Sequence, residues 1–565
     1  MEAIECFSAP QKGSDLGNRY RHGIDPWSEA RVRRNDREKI VILRNVIKKN
    51  RYVDSIFLML LANRLKSLEG IDRISAMMGA EGNKGILEES GLLDQAGREA
   101  APNDLIIAIL AESDEVVDRA VSEVDDALDQ KDSGRSEDDY SPKSLDSAKN
   151  GKTNLIFCSL PGPYVRWEAK KALDAGINCM IFSDNVPVET ELELKELAKE
   201  KKLIVMGPDC GTAIINGTAL GFANVVSRGR IGIVGASGTG IQEVTVQLHH
   251  LGEGISHAIG TGGRDLTEKI GGISMLSGIE MLENDPATEL LLLISKPPAP
   301  RIEKMILDRM AKSKKPAVIC FIGGKTEEAE KRGLPAARTL EEAARLAIAT
   351  LLKKKFEPKN FDMSPTEAFA AAAAESLKLA PGARYLRGLY SGGTLADEAL
   401  VLLEKFLPFH SNLSHGQKLS DNAVSQGNTI IDLGDDEFTV GVPHPMIDYT
   451  NRMERLLQEA EDPEVAVILF DVVIGYGSHL NPTEPLIPAI LAARERSKRH
   501  LSFVATICGT NEDPQNLEKT REALEEIGVI VMPSNAQAAR LAAMIASRGK
   551  IDFMNSEKNC HAEKL

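Results

Sequence analysis

The sequence predicts a multidomain α/β protein built on parallel sheets, and two observations carry that prediction. The first is Arg230 to Val244, RIGIVGASGTGIQEV, where the apolar run Ile231 to Val234 ends in the small-residue turn Gly235-Ala236-Ser237-Gly238-Thr239-Gly240 and amphipathic sequence follows from Ile241. That order is the pattern of a buried strand, a tight turn and a helix start. The second is that the chain repeats it. Tyr385 to Leu400, YLRGLYSGGTLADEAL, is again a strand-like run, a Ser391-Gly392-Gly393-Thr394 turn and helical sequence. Further landmarks recur in the same order. His257 to Leu266 answers to Thr429 to Gly441, and Pro316 to Gly324 to Leu501 to Thr510. Asn284-Asp285-Pro286 precedes the strand Leu290 to Ser295 as Glu461-Asp462-Pro463 precedes Val465 to Asp471. Shared order of this kind predicts a duplicated α/β unit about one domain in size.

Composition sets the class. With 565 residues, 42% hydrophobic and 27% charged, several soluble globular domains are expected. The net charge of -15 argues against nucleic acid or an anionic membrane as the main partner, since both select basic surfaces. Of seven cysteines, Cys158, Cys179, Cys320 and Cys508 lie in apolar runs and none forms a CxxC pair, so reduced core thiols and a cytoplasmic location are expected. No apolar stretch is long enough for a membrane span, and the N-terminus lacks a signal-peptide pattern.

The elements follow in order. Residues 1–38 are polar, with Pro10, Pro26 and the basic Arg31, Arg33 and Arg34, and read as a flexible arm. Residues 39–128 alternate strand-like Ile40 to Ile47, Ile74 to Met78 and Asp104 to Leu110 with helical Asp54 to Leu68, Gly85 to Ser90 and Val116 to Leu128, the rhythm of a small α/β or ferredoxin-like domain. Residues 129–152 are polar and read as a linker. Residues 153–228 resume with strands Leu155 to Ser159, Asn178 to Ser183 and Leu203 to Met206 and helices Val165 to Ala175 and Glu189 to Lys199. Such short continuous apolar strands suit a parallel sheet covered on both faces. The duplicated units span 229–353 and 384–548, joined by 354–383 as linker plus helix, and 549–565 reads as a polar, frayed tail.

Ligands of doubly wound sheets sit beyond the C-terminal strand ends. Three such ends in residues 153–228 carry small polar loops, with Ser159 and Gly162, Asp184 and Asn185, and Gly207, Pro208, Asp209, Gly211 and Thr212 as candidate substrate or CoA-type contacts. The two helix starts are candidate phosphate seats, because small residues admit a ligand to amides at the positive end of the helix dipole: Ser237, Gly238, Thr239 and Gly240 first, Ser391, Gly392, Gly393 and Thr394 second. Arg264, in Gly262-Gly263-Arg264-Asp265, either clamps a carboxylate or phosphate or ties down its loop with Asp265. Asp432, Asp435, Asp436 and Glu437 form an acidic cluster that suits a cation, an amine or plain solvent. His444, stiffened by Pro443 and Pro445, and His479 are candidate general bases, with a structural role as the alternative. His249-His250 reads as helix surface, and His410 and His415 fall in a loop without a counterpart in the first repeat.

The motifs GASGTGIQEV, GPDCGT, IGTGGRD and IIDLGDD resemble the FdrA family, itself similar to a rearranged succinyl-CoA synthetase core. The resemblance implies a Rossmann-like CoA-binding-type domain at 153–228 and two flavodoxin-like, succinyl-CoA-ligase-like domains at 229–353 and 384–548, with no ATP-grasp domain. In the synthetases a histidine carries a phosphoryl group between two helix starts and a glutamate partners it. Here the helix starts are matched, with a further glycine-rich strand end at Gly475, Gly477 and Ser478, but no histidine occurs between His257 and His410. The loop that holds the glutamate reads Ser295-Lys296-Pro297-Pro298-Ala299-Pro300.

Without a nucleophilic imidazole the relay has no carrier, whereas a seat for free phosphate needs only backbone amides and small side chains. The resemblance implies a subunit of oxamate carbamoyltransferase, in which oxalurate and phosphate give oxamate and carbamoyl phosphate. It implies phosphate as a substrate, possible CoA binding, a small carboxylic or ureido acid, and partner subunits of a hetero-oligomer. An acyl-CoA synthetase subunit and a non-catalytic scaffold are the alternatives.

Overall fold

Seven consecutive buried apolar residues, Leu105–Ala111, form the central strand of the N-terminal unit. The computed structural model describes residues 33–34, 40–51, 53, 55–66, 68–133, 144–148, 152–439 and 442–553, and the chain divides into two units, Met1–Asp139 and Tyr140–Leu565. The first unit runs β1 (Arg33–Arg34), β2 (Ile40–Lys48), α1 (Ser55–Lys66), β3 (Ile71–Met78), α2 (Glu81–Glu89), α3 (Gln95–Glu99), β4 (Leu105–Ala111) and α4 (Asp114–Ser133). Its antiparallel sheet has the order β1-β2-β4-β3. Leu58, Leu65, Val117 and Val124 from α1 and α4 cover one face. Leu87 of α2 and Leu92, Leu93 and Ala100 around α3 cover the other, which explains why β4 is apolar throughout.

One sequence expectation changes here. Helix α4 continues to Ser133, into the expected linker, because no glycine or proline interrupts it before Gly134. The expected arm, residues 1–38, lies outside the described residues except Arg33–Arg34, which pairs antiparallel with the start of β2.

The second unit opens with α5 (Leu145–Ala148), β5 (Leu155–Cys158), α6 (Gly162–Asp174), β6 (Asn178–Ile181), α7 (Val188–Glu200) and β7 (Val205–Met206), a parallel sheet of order β5-β6-β7. Next comes a hairpin, β8 (Thr212–Ile215) and β9 (Thr218–Gly221), turned at Asn216-Gly217 with both φ positive, 51° and 82°. Asn-Gly is the preferred pair for such a turn. The hairpin belongs to the following sheet, since Ile214 of β8 pairs with Ala258, so the boundary expected at 228 falls after the hairpin had already joined the first repeat.

The first repeat comprises β10 (Arg228–Gly235), α8 (Gly238–His250), β11 (Ile255–Gly260), α9 (Ile273–Asn284), β12 (Leu290–Ser295), α10 (Pro300–Met310), β13 (Ala317–Phe321), α11 (Thr326–Glu330) and α12 (Leu340–Leu351). After α13 (Pro365–Ser376) the second comprises β14 (Tyr385–Tyr390), α14 (Gly393–Leu403), β15 (Phe409–Ser411), β16 (Gln417–Lys418), β17 (Asn428–Asp432), α15 (Asp436–Thr439), α16 (Thr450–Glu461), β18 (Val465–Val473), α17 (Thr483–Ser497), β19 (Ser502–Cys508), α18 (Leu517–Glu526), β20 (Ile530–Met532) and α19 (Asn535–Ala546). The sheet orders are β13-β12-β10-β11-β8-β9 and β16-β15-β17-β14-β18-β19-β20. In the first, β10 lies between β11 and β12 with β13 outside; in the second, β14 lies between β17 and β18 with β19 outside; all of these pairs are parallel, which is the topology a duplication requires.

Helices α8, α12, α14 and α19 share one core that takes in Ile233 and Leu292 of one sheet and Leu386 and Leu469 of the other, so the two repeats bury a common interior. Segment 354–383 is not a loose linker. Ser364 and Glu367 form a capping box at the start of α13, and Phe361, Ala368, Ala372 and Leu379 enter that core. Nor is the chain frayed directly after Gly549: Ile551 and Phe553 are buried there and Phe553 packs edge-on against Phe406, while residues 554–565 lie outside the described residues. Cys158, Cys179, Cys210, Cys320 and Cys508 are buried free thiols, and among the described residues no helix is long and apolar enough to cross a membrane.

Candidate functional site

The turn after β10 is built for an anion. Ser237 stands in the extended N-cap position of α8, and its hydroxyl accepts from the Gly240 amide at 3.1 Å and lies 2.6 Å from the hydroxyl of Thr394. Gly240 is therefore committed to the cap and is corrected as a phosphate contact. An α-helix leaves the amides of its first residues without intrahelical partners, which here frees those of Gly238 and Thr239. Thr212, 1% exposed, has a hydroxyl without a hydrogen-bond partner among the described residues, 3.3 Å from where a Cβ on Gly238 would stand. Both residues of the turn are partly open to solvent. The result is two amides and a buried hydroxyl at the positive end of a helix dipole.

The second helix start differs. The Asp471 carboxylate, fully buried, accepts from the Ser391 amide at 2.8 Å, the Ser391 hydroxyl at 3.0 Å and the Gly392 amide at 2.8 Å, and pairs with Arg452 at 2.9 Å. The chain supplies its own anion there, so Ser391 and Gly392 are corrected as phosphate contacts. Sheet register explains the asymmetry. Leu389 pairs with Phe470, so Tyr390 aligns with Asp471; the corresponding Gly235 pairs with Ile294. One residue, Ile294 against Asp471, leaves the first seat open and fills the second.

Between the helix starts stand groups that can move or hold protons. Asp432 ends β17 buried; burial first pushes its carboxyl up to about 7, opposed by the Gly434 amide at 2.9 Å and by Lys296. Its other oxygen lies 2.4 Å from where a Cβ on Gly393 would be, so only glycine fits there. His444 is lowered to about 4 by burial and then by Arg452, and is neutral at physiological pH. Its Nδ1 accepts from the Met446 amide at 3.2 Å, which places the proton on Nε2. Nε2 and an Asp432 oxygen lie 2.7 and 3.1 Å from the point a Gly434 Cβ would occupy. As a general base His444 is thus corrected: it presents an N–H donor. Lys296, after β12, is ion-paired with the buried Asp397 of α14. The sequence alone offers no role for that lysine; the fold brings it beside α14.

The outer loops at the three strand ends pack against one another. A Cβ on Gly162 would stand 2.2 Å from the Asn185 carbonyl and one on Gly207 2.2 Å from that of Ile181, and the Asp209 amide donates to Ser183, so the three strand ends interlock. Asp209 is pushed up to about 6, by desolvation first and then by Asp436 and Asp184, with Arg264 opposing. Arg264 pairs with Glu191 at 3.0 Å and donates to the Val186 carbonyl at 2.8 Å; Asp265 pairs instead with buried Lys195. Arg264 therefore ties down its loop, though through Glu191 and not Asp265. The Gly475 amide donates to Gln515 and Tyr476 bridges to Ala223, which corrects Gly475 as a phosphate contact; the buried Ser478 hydroxyl has no partner among the described residues, and a Cβ on Gly477 would press on Phe222. His250 is exposed at the end of α8, as expected, and its Nε2 meets the Gly509 carbonyl at 3.0 Å.

Three family models match, described as CoA-ligase over residues 389–545, CoA binding domain over 226–323, and AllF, heavy metal-associated domain over 41–143. YahF of Escherichia coli is 43% identical over 514 residues, covering 89% of this chain and 99% of that protein. The chain belongs to the FdrA family. It is a succinyl-CoA synthetase-like protein of the CoA-binding and ligase type. The α subunit of malate–CoA ligase from Methylorubrum extorquens is 30% identical over 34% of this chain and 64% of that subunit, and the α subunit of ADP-forming succinate–CoA ligase from Aquifex aeolicus is 32% identical over 27% and 50%. The CoA binding match falls on the first repeat and not on residues 153–228, where the family resemblance had put such a domain. Residues 41–143 contain no cysteine or histidine, so this FdrA-family chain lacks the thiolate and imidazole donors that a soft metal would need in that domain.

Proposed function

We propose that this chain is the phosphate-binding subunit of a cytoplasmic, phosphate-dependent carbamoyl or acyl transferase, and specifically of a hetero-oligomeric oxamate carbamoyltransferase. The observation that carries the reading is the open start of α8, where the Gly238 and Thr239 amides and the unpartnered Thr212 hydroxyl converge. The match to the AllF domain and the missing relay histidine support the same reading.

In this reading a phosphate oxygen attacks the carbamoyl carbon of oxalurate, the bond from that carbon to the oxamate nitrogen breaks, and the nitrogen takes up a proton. The chain's groups divide the roles. The α8 amides and Thr212 hold phosphate, the His444 Nε2–H stabilises charge on the carbonyl oxygen, and Asp432, protonated near neutrality, supplies the proton. Donors fixed in this way contribute several kcal/mol, on the order of 3, to such a step.

A second reading, an acid–thiol ligase subunit that binds CoA, draws support from the CoA-ligase and CoA binding matches. It requires a partner that binds nucleotide. Gly238→Asp separates the two: a carboxylate at the start of α8 suits the helix but fills the phosphate seat. Phosphate-dependent turnover is expected to disappear with thermal stability retained, and unchanged turnover would exclude the proposal.

A further inference from the structure

Lys296 stands in an unusual exchange position. Strand β12 lies beside β10, with Gly235 paired to Ile294 and the Ala236 amide bonded to the Ile294 carbonyl at 3.0 Å, so the residue two places on emerges at the same sheet edge as Ser237. Pro297 and Pro298 stiffen the backbone that follows, and the Ser295 hydroxyl donates to the Lys296 carbonyl at 2.6 Å. The lysine side chain is 47% exposed and its partner Asp397 only 3%. Among the described residues neither Asp397 oxygen has a hydrogen-bond donor, and its ion-pair partner is the Lys296 ammonium. Asp397 lies one turn into α14, and Thr394, at the start of the same helix, touches Ser237.

We infer that Lys296 is the cation that receives the reacting oxyanion, by exchanging Asp397 for it. A half-exposed ammonium on a flexible four-carbon stem can turn toward the open seat at α8 without leaving the sheet edge. Asp397 gives up its ion pair in the exchange, and the pair that the lysine forms with the incoming oxyanion replaces it. The incoming group is a phosphate or a substrate carboxylate, which present the same oxyanion chemistry. The inference rests on the phosphate-transfer reading and adds to it the residue that would set the affinity for the anion.

The test is calorimetric titration of the full-length chain with inorganic phosphate and, separately, with oxamate as a carboxylate probe. Lys296→Met is expected to weaken one of the two about tenfold or more, and which one identifies the oxyanion that Lys296 receives; Lys296→Arg stays within a few-fold of wild type. Asp397→Asn, by removing the competitor, is expected to tighten the same ligand several-fold, which a merely structural lysine would not produce. Unchanged affinity for both ligands in Lys296→Met, or an unchanged or weakened one in Asp397→Asn, overturns the inference while leaving the phosphate reading intact. Failure of the wild-type chain to bind phosphate at all removes that reading and this inference with it.

Discussion

The hydroxyl of Ser237 lies 2.6 Å from that of Thr394, although 157 residues separate them in the chain. This contact joins the two glycine turns of the duplication, and Gly392 closes against Thr239 from the other side, its Cβ position 3.0 Å from the Thr239 methyl. Thr394→Val keeps the shape and removes one buried hydrogen bond, an expected loss of about 1 kcal/mol. Ser237→Ala removes the cap of α8 as well, for a total of about 2 kcal/mol. Urea unfolding monitored by circular dichroism checks the order: Ser237→Ala must be the more damaging.

Asp471 acts as a built-in anion for α14. Asp471→Ala leaves Arg452, 1% exposed, as an unpaired buried charge, and removal of one partner from such a pair costs roughly 3–5 kcal/mol. Inorganic phosphate should restore part of that loss and raise the melting temperature of the variant more than that of wild type. Equal phosphate effects on the two proteins would show that the second seat cannot be reopened.

Buried carboxyls make stability depend on pH. Glu243 on α8 is pushed up to about 8 and Glu398 on α14 to about 7, in both by burial first. A carboxyl whose folded value is raised binds more protons folded than unfolded, so its contribution falls as pH rises from the ordinary carboxylate range to the folded value. Thermal stability is therefore expected to decline between about pH 5 and pH 8. Glu243→Gln and Glu398→Gln should each flatten that decline.

For His444 and Asp432 the expected titrations are opposite. His444, lowered to about 4, should show no change in its ring carbon shifts by NMR above about pH 5, whereas Asp432, raised to about 7, should set the alkaline limb of a pH–rate profile, with activity falling as it ionises. Asp432→Asn should remove that limb along with most of the turnover.

Much of the fold was legible because strand, turn and helix each left a local mark. Ile231 to Gly240 and Tyr385 to Thr394 predicted both helix starts, and the shared landmark order predicted matching sheets. The hairpin at Asn216-Gly217 carried its own turn signal, yet its allegiance to the first repeat depends on Ile214 meeting Ala258, a pairing no local pattern encodes. The site was less legible for the same reason. Asp471 looks like one more strand residue until sheet register sets it under Ser391, and Lys296 acquires a partner only when α14 crosses the end of β12. For Arg264 the sequence leaves clamp and tie open, and the position of Glu191 favours the tie.

One assay is decisive: the chain, co-purified with its partner subunits, supplied with oxalurate and inorganic phosphate, with and without CoA and ATP. Carbamoyl phosphate formed in proportion to phosphate and without nucleotide is the predicted result. Acyl-CoA appearing only when ATP and CoA are present, with no carbamoyl phosphate, would contradict it and assign the chain to the ligases.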